Sequence, residues 1–164
     1  MNRIILTFIL LLNIQTLIAK ETERMTPESL FKVIQSYTES ANIENNVISF
    51  KYNQVSLYCI WDSKADRMRI ITPIAETSKL SPELLELALR ANYHTVLDAR
   101  YAIGDDFLYA AFIHPLSSIT KNELESAIRQ VATSALTFGT SFSSGELIFP
   151  GKSKVDKENK TNNI

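Results

Sequence analysis

Three successive segments with a period of two residues restrict the fold more than any other feature of the sequence. Residues 47–52, 55–61 and 67–74 are rich in β-branched and aromatic side chains, and only residues 53–54 and 62–66 separate them. Segments of this composition and period form half-buried strands, and connections this short join antiparallel neighbours. The sequence therefore predicts a three-stranded antiparallel meander.

Helix-start signals lie on both sides of the predicted meander. Thr26-Pro27-Glu28 and Ser81-Pro82-Glu83 each place a capping hydroxyl before proline and an acidic side chain, a combination typical of the first helical turn. Thr120 and Glu123 have the spacing of a capping box. Apolar residues recur at helical spacing after each start. Three helices are predicted, of which the first extends to Ala41 and the third to Gly139.

A second hairpin is predicted between the second and third helices. Its strands are residues 99–103 and 107–114, and Gly104-Asp105-Asp106 forms the turn. The complete order is then α-β-β-β-α-β-β-α. This order predicts an α+β fold in which helices pack on an antiparallel sheet.

The two ends of the chain have a different character from the 26–151 segment, which is predicted to form a single domain. Residues 1–19 combine a basic start, an apolar stretch and a small residue, Ala19, which is typical of a signal peptide. The protein is thus expected to be exported, to a periplasm or beyond. An uncleaved membrane anchor is the alternative. Residues 20–25 are interpreted as a linker, and the polar residues 152–164 as a disordered tail.

Charge and cysteine content exclude several functional classes. The formal net charge is −1, so the chain lacks the basic field that attracts proteins to nucleic acids. Its single cysteine excludes an intramolecular disulfide and a multi-cysteine zinc site.

The histidines and the cysteine do not occur in a catalytic or metal-binding pattern. His94 and His114 are isolated from each other and have no ligand spacing around them. Cys59 alternates with Leu57 and Trp61 on an apolar strand face. We therefore expect Cys59 to be a buried, unreactive thiol and Trp61 to be a core residue.

Two further polar segments have simpler interpretations than ligand sites. The 139–145 segment contains glycines and hydroxyls, but it lacks the lysine and the following helix of a phosphate-binding loop. The pairs Asp62/Asp66 and Asp105/Asp106 do not have calcium-loop spacing and fit solvated turns. No catalytic residue, cofactor or metal is predicted.

Four segments in the second half of the chain are the most specific for a known family, namely 84–92, Ala99-Arg-Tyr-Ala-Ile-Gly-Asp, Phe112-Ile-His-Pro-Leu and Ile119-Thr-Lys-Asn-Glu-Leu-Glu. Together with the predicted element order, they resemble the type III secretion chaperone-like fold, and more closely its YbjN-like branch. The resemblance covers residues 26–151 and implies a protein-binding domain that often forms homodimers, without enzymatic activity or cofactor. The chaperones act in the cytoplasm, so predicted export sets this chain apart from them.

A partner surface is predicted from strands that are apolar on both faces. Leu108 and Phe112 alternate with other apolar residues on the last strand, while Tyr58 and Ile60 interrupt the polar side of an earlier one. Such a strand is either covered twice or faces a partner. These four residues are the predicted surface for a partner protein or a second copy. In the alternative, an arm containing Phe142, Leu147 and Phe149 covers the second face.

The function expected from the sequence is an exported, non-enzymatic protein-binding or assembly module. A carrier of small ligands or a hydrolase with an unrecognised site is the alternative. Membrane insertion of the mature chain is not expected, because no second apolar stretch reaches spanning length.

Overall fold

The computed structural model describes residues 24–145 of the chain. The predicted signal peptide at 1–19, most of the 20–25 linker and the 152–164 tail lie outside the described residues. The predicted boundary of the domain at residue 151 also lies outside them.

The described residues form one antiparallel sheet with three helices, which confirms the predicted α+β fold class. The strand order in the sheet is β1-β2-β3-β4-β6-β5, and each neighbouring pair is antiparallel. A single 3-10 turn, Thr77–Lys79, follows β4. The elements are, in chain order, α1 (Pro27–Tyr37), β1 (Ser40–Glu44), β2 (Val47–Tyr52), β3 (Val55–Asp62), β4 (Arg67–Glu76), α2 (Pro82–His94), β5 (Arg100–Gly104), β6 (Phe107–His114) and α3 (Lys121–Thr137).

Strand β1 is the element that the sequence did not predict. Ala41 lies at helical spacing from Tyr37, which suggested a longer first helix, but α1 ends at Tyr37. Ala41 instead pairs with Phe50 in an edge strand, and Asn45 adopts a positive φ of 52° in the turn that follows. Asparagine tolerates this conformation well. The prediction that α1 extends to Ala41 is therefore wrong. A single residue that faces the core, such as Ala41, is compatible both with the 3.6-residue period of a helix and with the two-residue period of a strand.

The predicted helix starts are confirmed by their hydrogen bonds. The Thr120 hydroxyl accepts from Glu123 N–H (3.2 Å), and the Glu123 carboxylate accepts from Thr120 N–H (2.7 Å). The hydrogen bond from Thr120 N–H to the carboxylate lowers the pKa of Glu123. Ser81 accepts from Leu84 N–H at 3.3 Å. Each cap satisfies backbone donors that a helix N-terminus leaves without a partner.

The core lies between the helices and one face of the sheet. Trp61 is 8% exposed and Cys59 is fully buried, as predicted. Burial raises the pKa of Cys59 to about 12, so the thiol is protonated at neutral pH and does not act as a nucleophile. Helix α3 lies across strands β2–β6 and contributes the largest set of buried side chains.

Strand β5 is fixed to the helices by the buried side chain of Gln130 and the half-buried side chain of Asn92. The Gln130 carbonyl oxygen accepts from Asp98 N–H (2.8 Å) and Ala99 N–H (3.0 Å) just before the strand. Asn92 donates to the Tyr101 carbonyl (3.1 Å) and accepts from Tyr101 N–H (2.7 Å). Part of the outer edge of β5 is thereby satisfied by helix α2.

Candidate partner-binding surface

The face of the sheet opposite the helices is the main candidate for a functional surface. All three helices contribute to the core cluster, yet that cluster contains no residue of this second face. Within residues 24–145, the face is therefore not covered by the helices. We call it the open face. Its central residues are Val47, Ser49, Lys51, Tyr58, Ile60, Arg69, Ile71, Tyr109, Ala111 and Ile113.

The strand register aligns the apolar residues of the open face into rows. Val47 is opposite Ile60 on the neighbouring strand. In the next row, Tyr58 is opposite Ile71, which is opposite Ala111. Side chains at such positions contact one another across the strands. The result is a continuous apolar strip across β2, β3, β4 and β6, in which Tyr58 is 38% exposed.

Basic side chains border this strip. Arg69 lies opposite both Ile60 and Ile113, and Arg100 lies opposite Ala111 at the end of β5. Four basic and three acidic residues share the face, namely Lys51, Arg67, Arg69 and Arg100 with Glu44, Asp62 and Glu76. The open face thus carries one excess positive charge, although the whole chain has a net charge of −1.

The structure separates the four residues of the predicted partner surface. Tyr58 and Ile60 lie on the open face, so a partner can reach them. Leu108 and Phe112 are 2% and 7% exposed and belong to the core cluster. The prediction that Leu108 and Phe112 lie on a partner-facing surface is therefore wrong, because their side chains are on the side of β6 that packs on the helices. Partner binding through Tyr58 and Ile60 stays a prediction.

Sequence reasoning missed the open-face residues of β4 and β6. Both faces of β6 are apolar, so its own pattern does not show which one packs on the helices. The register supplies the answer, since Arg69 is opposite Ile113 and the buried Ile70 is opposite Phe112. Polar and apolar residues alternate clearly in β4, and this alternation identifies the buried side of β6 once the pairing of the two strands is known.

The arm that contains Phe142, the predicted alternative cover for the second face, begins on the helix side of the sheet. Phe142 is 9% exposed, and its ring lies 5.3 Å from that of Phe138 and 6.1 Å from that of Tyr101. Phe142 therefore does not cover the open face. Leu147 and Phe149 lie outside the described residues.

The remaining polar candidates take part in local contacts. His114 Nδ1–H donates to the Pro115 carbonyl (2.9 Å), and the His94 ring meets that of Tyr93 edge-on at 4.9 Å. Asp66 accepts from Ser117 N–H (2.7 Å) and from its hydroxyl (2.9 Å), which lowers the pKa of Asp66. In the described range, no group of three or more potential ligands is arranged to hold a metal ion.

None of the helices between residues 24 and 145 has the length and apolar character needed to cross a bilayer.

The fold and the open face define an α+β domain in which, among residues 24–145, no helix covers one face of the sheet. Residues 33–144 match the model of the YbjN family, described as a "putative bacterial sensory transduction regulator". The chain belongs to the YbjN family. No curated protein matches the chain.

Two solved structures show a similar fold. The Yersinia pestis type III secretion chaperone SycH, in complex with a fragment of YscM2, has a TM-score of 0.53 at 15% identity over 69% of this chain and 99% of that one. The HopA1–SchA chaperone–effector complex gives a TM-score of 0.52 at 12% identity over 66% of this chain and 88% of that one. At these identities the similarity concerns the fold.

Proposed function

We propose that this protein is an exported, non-enzymatic module that binds a partner polypeptide on the open face of its sheet. The observation that carries the proposal is the apolar strip formed by Val47, Ile60, Tyr58 and Ile71, which none of the three helices covers. An exposed apolar surface with a polar border is typical of a protein-binding site. Both similar structures were obtained as complexes with protein partners, which supports the same general role.

The chemistry of the open face favours an acidic or neutral polypeptide over other ligands. Lys51, Arg69 and Arg100 border an apolar centre that contains the ring of Tyr58. Tyrosine and arginine contribute strongly to protein interfaces, because both combine apolar area with hydrogen-bond donors. A partner segment with apolar side chains and nearby carboxylates would match this arrangement.

Replacing Tyr58 and Ile60 together with serine is expected to weaken partner binding about 30-fold or more, as loss of a central interface contact does. The partner is first identified by affinity capture from the native host with quantitative mass spectrometry. Its affinity for the purified wild-type and variant proteins is then measured by calorimetry.

A matched control removes apolar surface elsewhere. Leu87 and Leu89 on α2 are 48% and 66% exposed, and replacing both with serine should leave the affinity unchanged. An equal loss of affinity in both double variants, or no loss in the Tyr58/Ile60 variant, would contradict the proposed surface. Sedimentation of the purified protein identifies the case in which the partner is a second copy, since only then does the Tyr58/Ile60 variant change the oligomeric state.

Export forms a separate part of the proposal and rests on the sequence of residues 1–19. Because a small residue, Ala19, precedes charged residues, cleavage is expected to leave Lys20 at the mature N-terminus. Intact-mass measurement of the protein recovered from extracytoplasmic fractions checks this. Recovery of the full chain beginning with Met1, in the cytoplasmic fraction only, would contradict export while leaving the binding role intact.

A further inference from the structure

A groove lies where strand β5 ends and its neighbour β6 continues. Arg100, the first residue of β5, is opposite Ala111, so within the described residues Phe112–His114 pair only with β4. The adjoining groove has a volume of about 360 Å³ and is lined by residues that include Asp98, Arg100, Ile113 and Gln130. An unpaired strand edge of this kind offers backbone donors and acceptors to another extended segment.

The hydrogen bonds of β5 show which residue of β6 directs its backbone into the groove. Both backbone groups of Tyr101 bond to Asn92, so they point away from β6. In an antiparallel pair, residues whose backbone groups point towards the partner strand alternate with residues whose backbone groups point away from it. Arg100, next to Tyr101, therefore forms a hydrogen-bonded pair with Ala111. Two residues further along β6, the backbone N–H and C=O groups of Ile113 point in the same direction as those of Ala111, into the groove. The side chain of Ile113 is 63% exposed.

The described part of the chain ends beside this groove. Ser144 accepts from Leu97 N–H (2.7 Å), and its own N–H donates to the Thr95 carbonyl. Arg100 Nη1 donates to the carbonyl of the same Leu97 at 2.7 Å. The Ser144 hydroxyl and the Arg100 guanidinium therefore bind the two backbone groups of one residue.

We propose that residues 146–149 of this same chain dock in the groove as a short strand paired with the edge of β6. Their sequence is Glu-Leu-Ile-Phe, directly after Gly145. An extended chain covers about 3.3–3.6 Å per residue, so these residues are long enough to follow the edge from Phe112 to His114. The inference does not depend on the proposed function.

Arg100 and Ile113 offer the segment one cationic and one apolar contact, beside the carboxylates of Asp98 and Glu123, which also line the groove. Arg100 makes no salt bridge within residues 24–145, and Glu146 brings a carboxylate to the chain directly after the anchored end. Side chains alternate between the faces of a strand. Because Leu147, Ile148 and Phe149 are all apolar, one of them covers Ile113 in either register.

Hydrogen exchange of single amides, followed by NMR on the full chain, tests this docking. In the Leu147→Asp/Phe149→Asp variant, the Ile113 amide is expected to exchange about tenfold faster than in the wild type, because its acceptor is lost. The matched control is Val155→Asp/Ile164→Asp, which adds the same charges further along the chain and should leave the Ile113 rate unchanged. The Cys59 amide in the sheet centre should keep its rate in both variants.

Unchanged exchange at Ile113 in the first variant would overturn the proposal, as would equal acceleration in the control. Protection at Ile113 that increases with protein concentration would also overturn it, because a second copy would then occupy the groove.

A charge exchange provides a second, independent measurement. Arg100→Glu and Glu146→Arg should each accelerate the exchange of Ile113, and the combined variant should return it towards the wild-type rate. Simple additivity of the two single effects would contradict the pairing of Arg100 with Glu146.

Discussion

Replacing Trp61 with alanine is expected to lower the free energy of unfolding by about 3–5 kcal/mol, as large core truncations do. Trp61 is 8% exposed, lies opposite Met68 and belongs to the core cluster between sheet and helices. Its truncation leaves a cavity that neighbouring side chains fill only in part. Urea denaturation followed by far-UV circular dichroism measures the change without relying on the fluorescence of Trp61, the only tryptophan in the chain.

Leu136→Ala is the control for this change, since Leu136 is 61% exposed on α3 and its truncation should cost about 0.5 kcal/mol or less. A loss below about 1 kcal/mol for Trp61→Ala, comparable with the control, would show that Trp61 is not a core residue.

The second large effect is expected at Gln130, which is replaced with leucine. The Gln130 carbonyl oxygen is the acceptor for both Asp98 N–H and Ala99 N–H, and the side chain is only 5% exposed. Leucine has a similar size but no acceptor, so two backbone donors lose their partner. An unsatisfied buried donor costs about 1–3 kcal/mol. Urea denaturation should therefore show a loss of about 2–4 kcal/mol.

Ser126→Ala serves as the control for Gln130→Leu, because it removes only one acceptor of the Gln130 amide group. We expect its cost to stay below about 1 kcal/mol. Equal stability of Gln130→Leu and the wild type would mean that the turn before β5 does not depend on this side chain.

The local signals in the sequence predicted most of the elements correctly. Capping hydroxyls at Thr26, Ser81 and Thr120 define where helices begin, and period-two segments define strands. Strand β1 was missed because its Ala41 faces the core at a position that also fits the helical spacing after Tyr37. Local pattern alone does not distinguish these two cases, since the distinction depends on pairing with β2.

The candidate site was predicted only in part. Tyr58 and Ile60 were recognised because they interrupt the polar side of a clearly alternating strand. On β6 both sides are apolar. The predicted residues, Leu108 and Phe112, lie on the side that packs on the helices. Which side is buried depends on the register with β4, a non-local property that a strand of uniform polarity does not encode.

The central claim is that a polypeptide partner binds the open face, and cross-linking at a single site tests it most directly. A photoreactive phenylalanine analogue is placed at Tyr58 or, as the control, at Leu136, which is more exposed (61% against 38%) but lies on helix α3. Both proteins are irradiated in the native host. A defined protein adduct at position 58, with none at position 136, is the predicted result. Absence of an adduct at position 58, or the same adduct from both positions, would contradict the account.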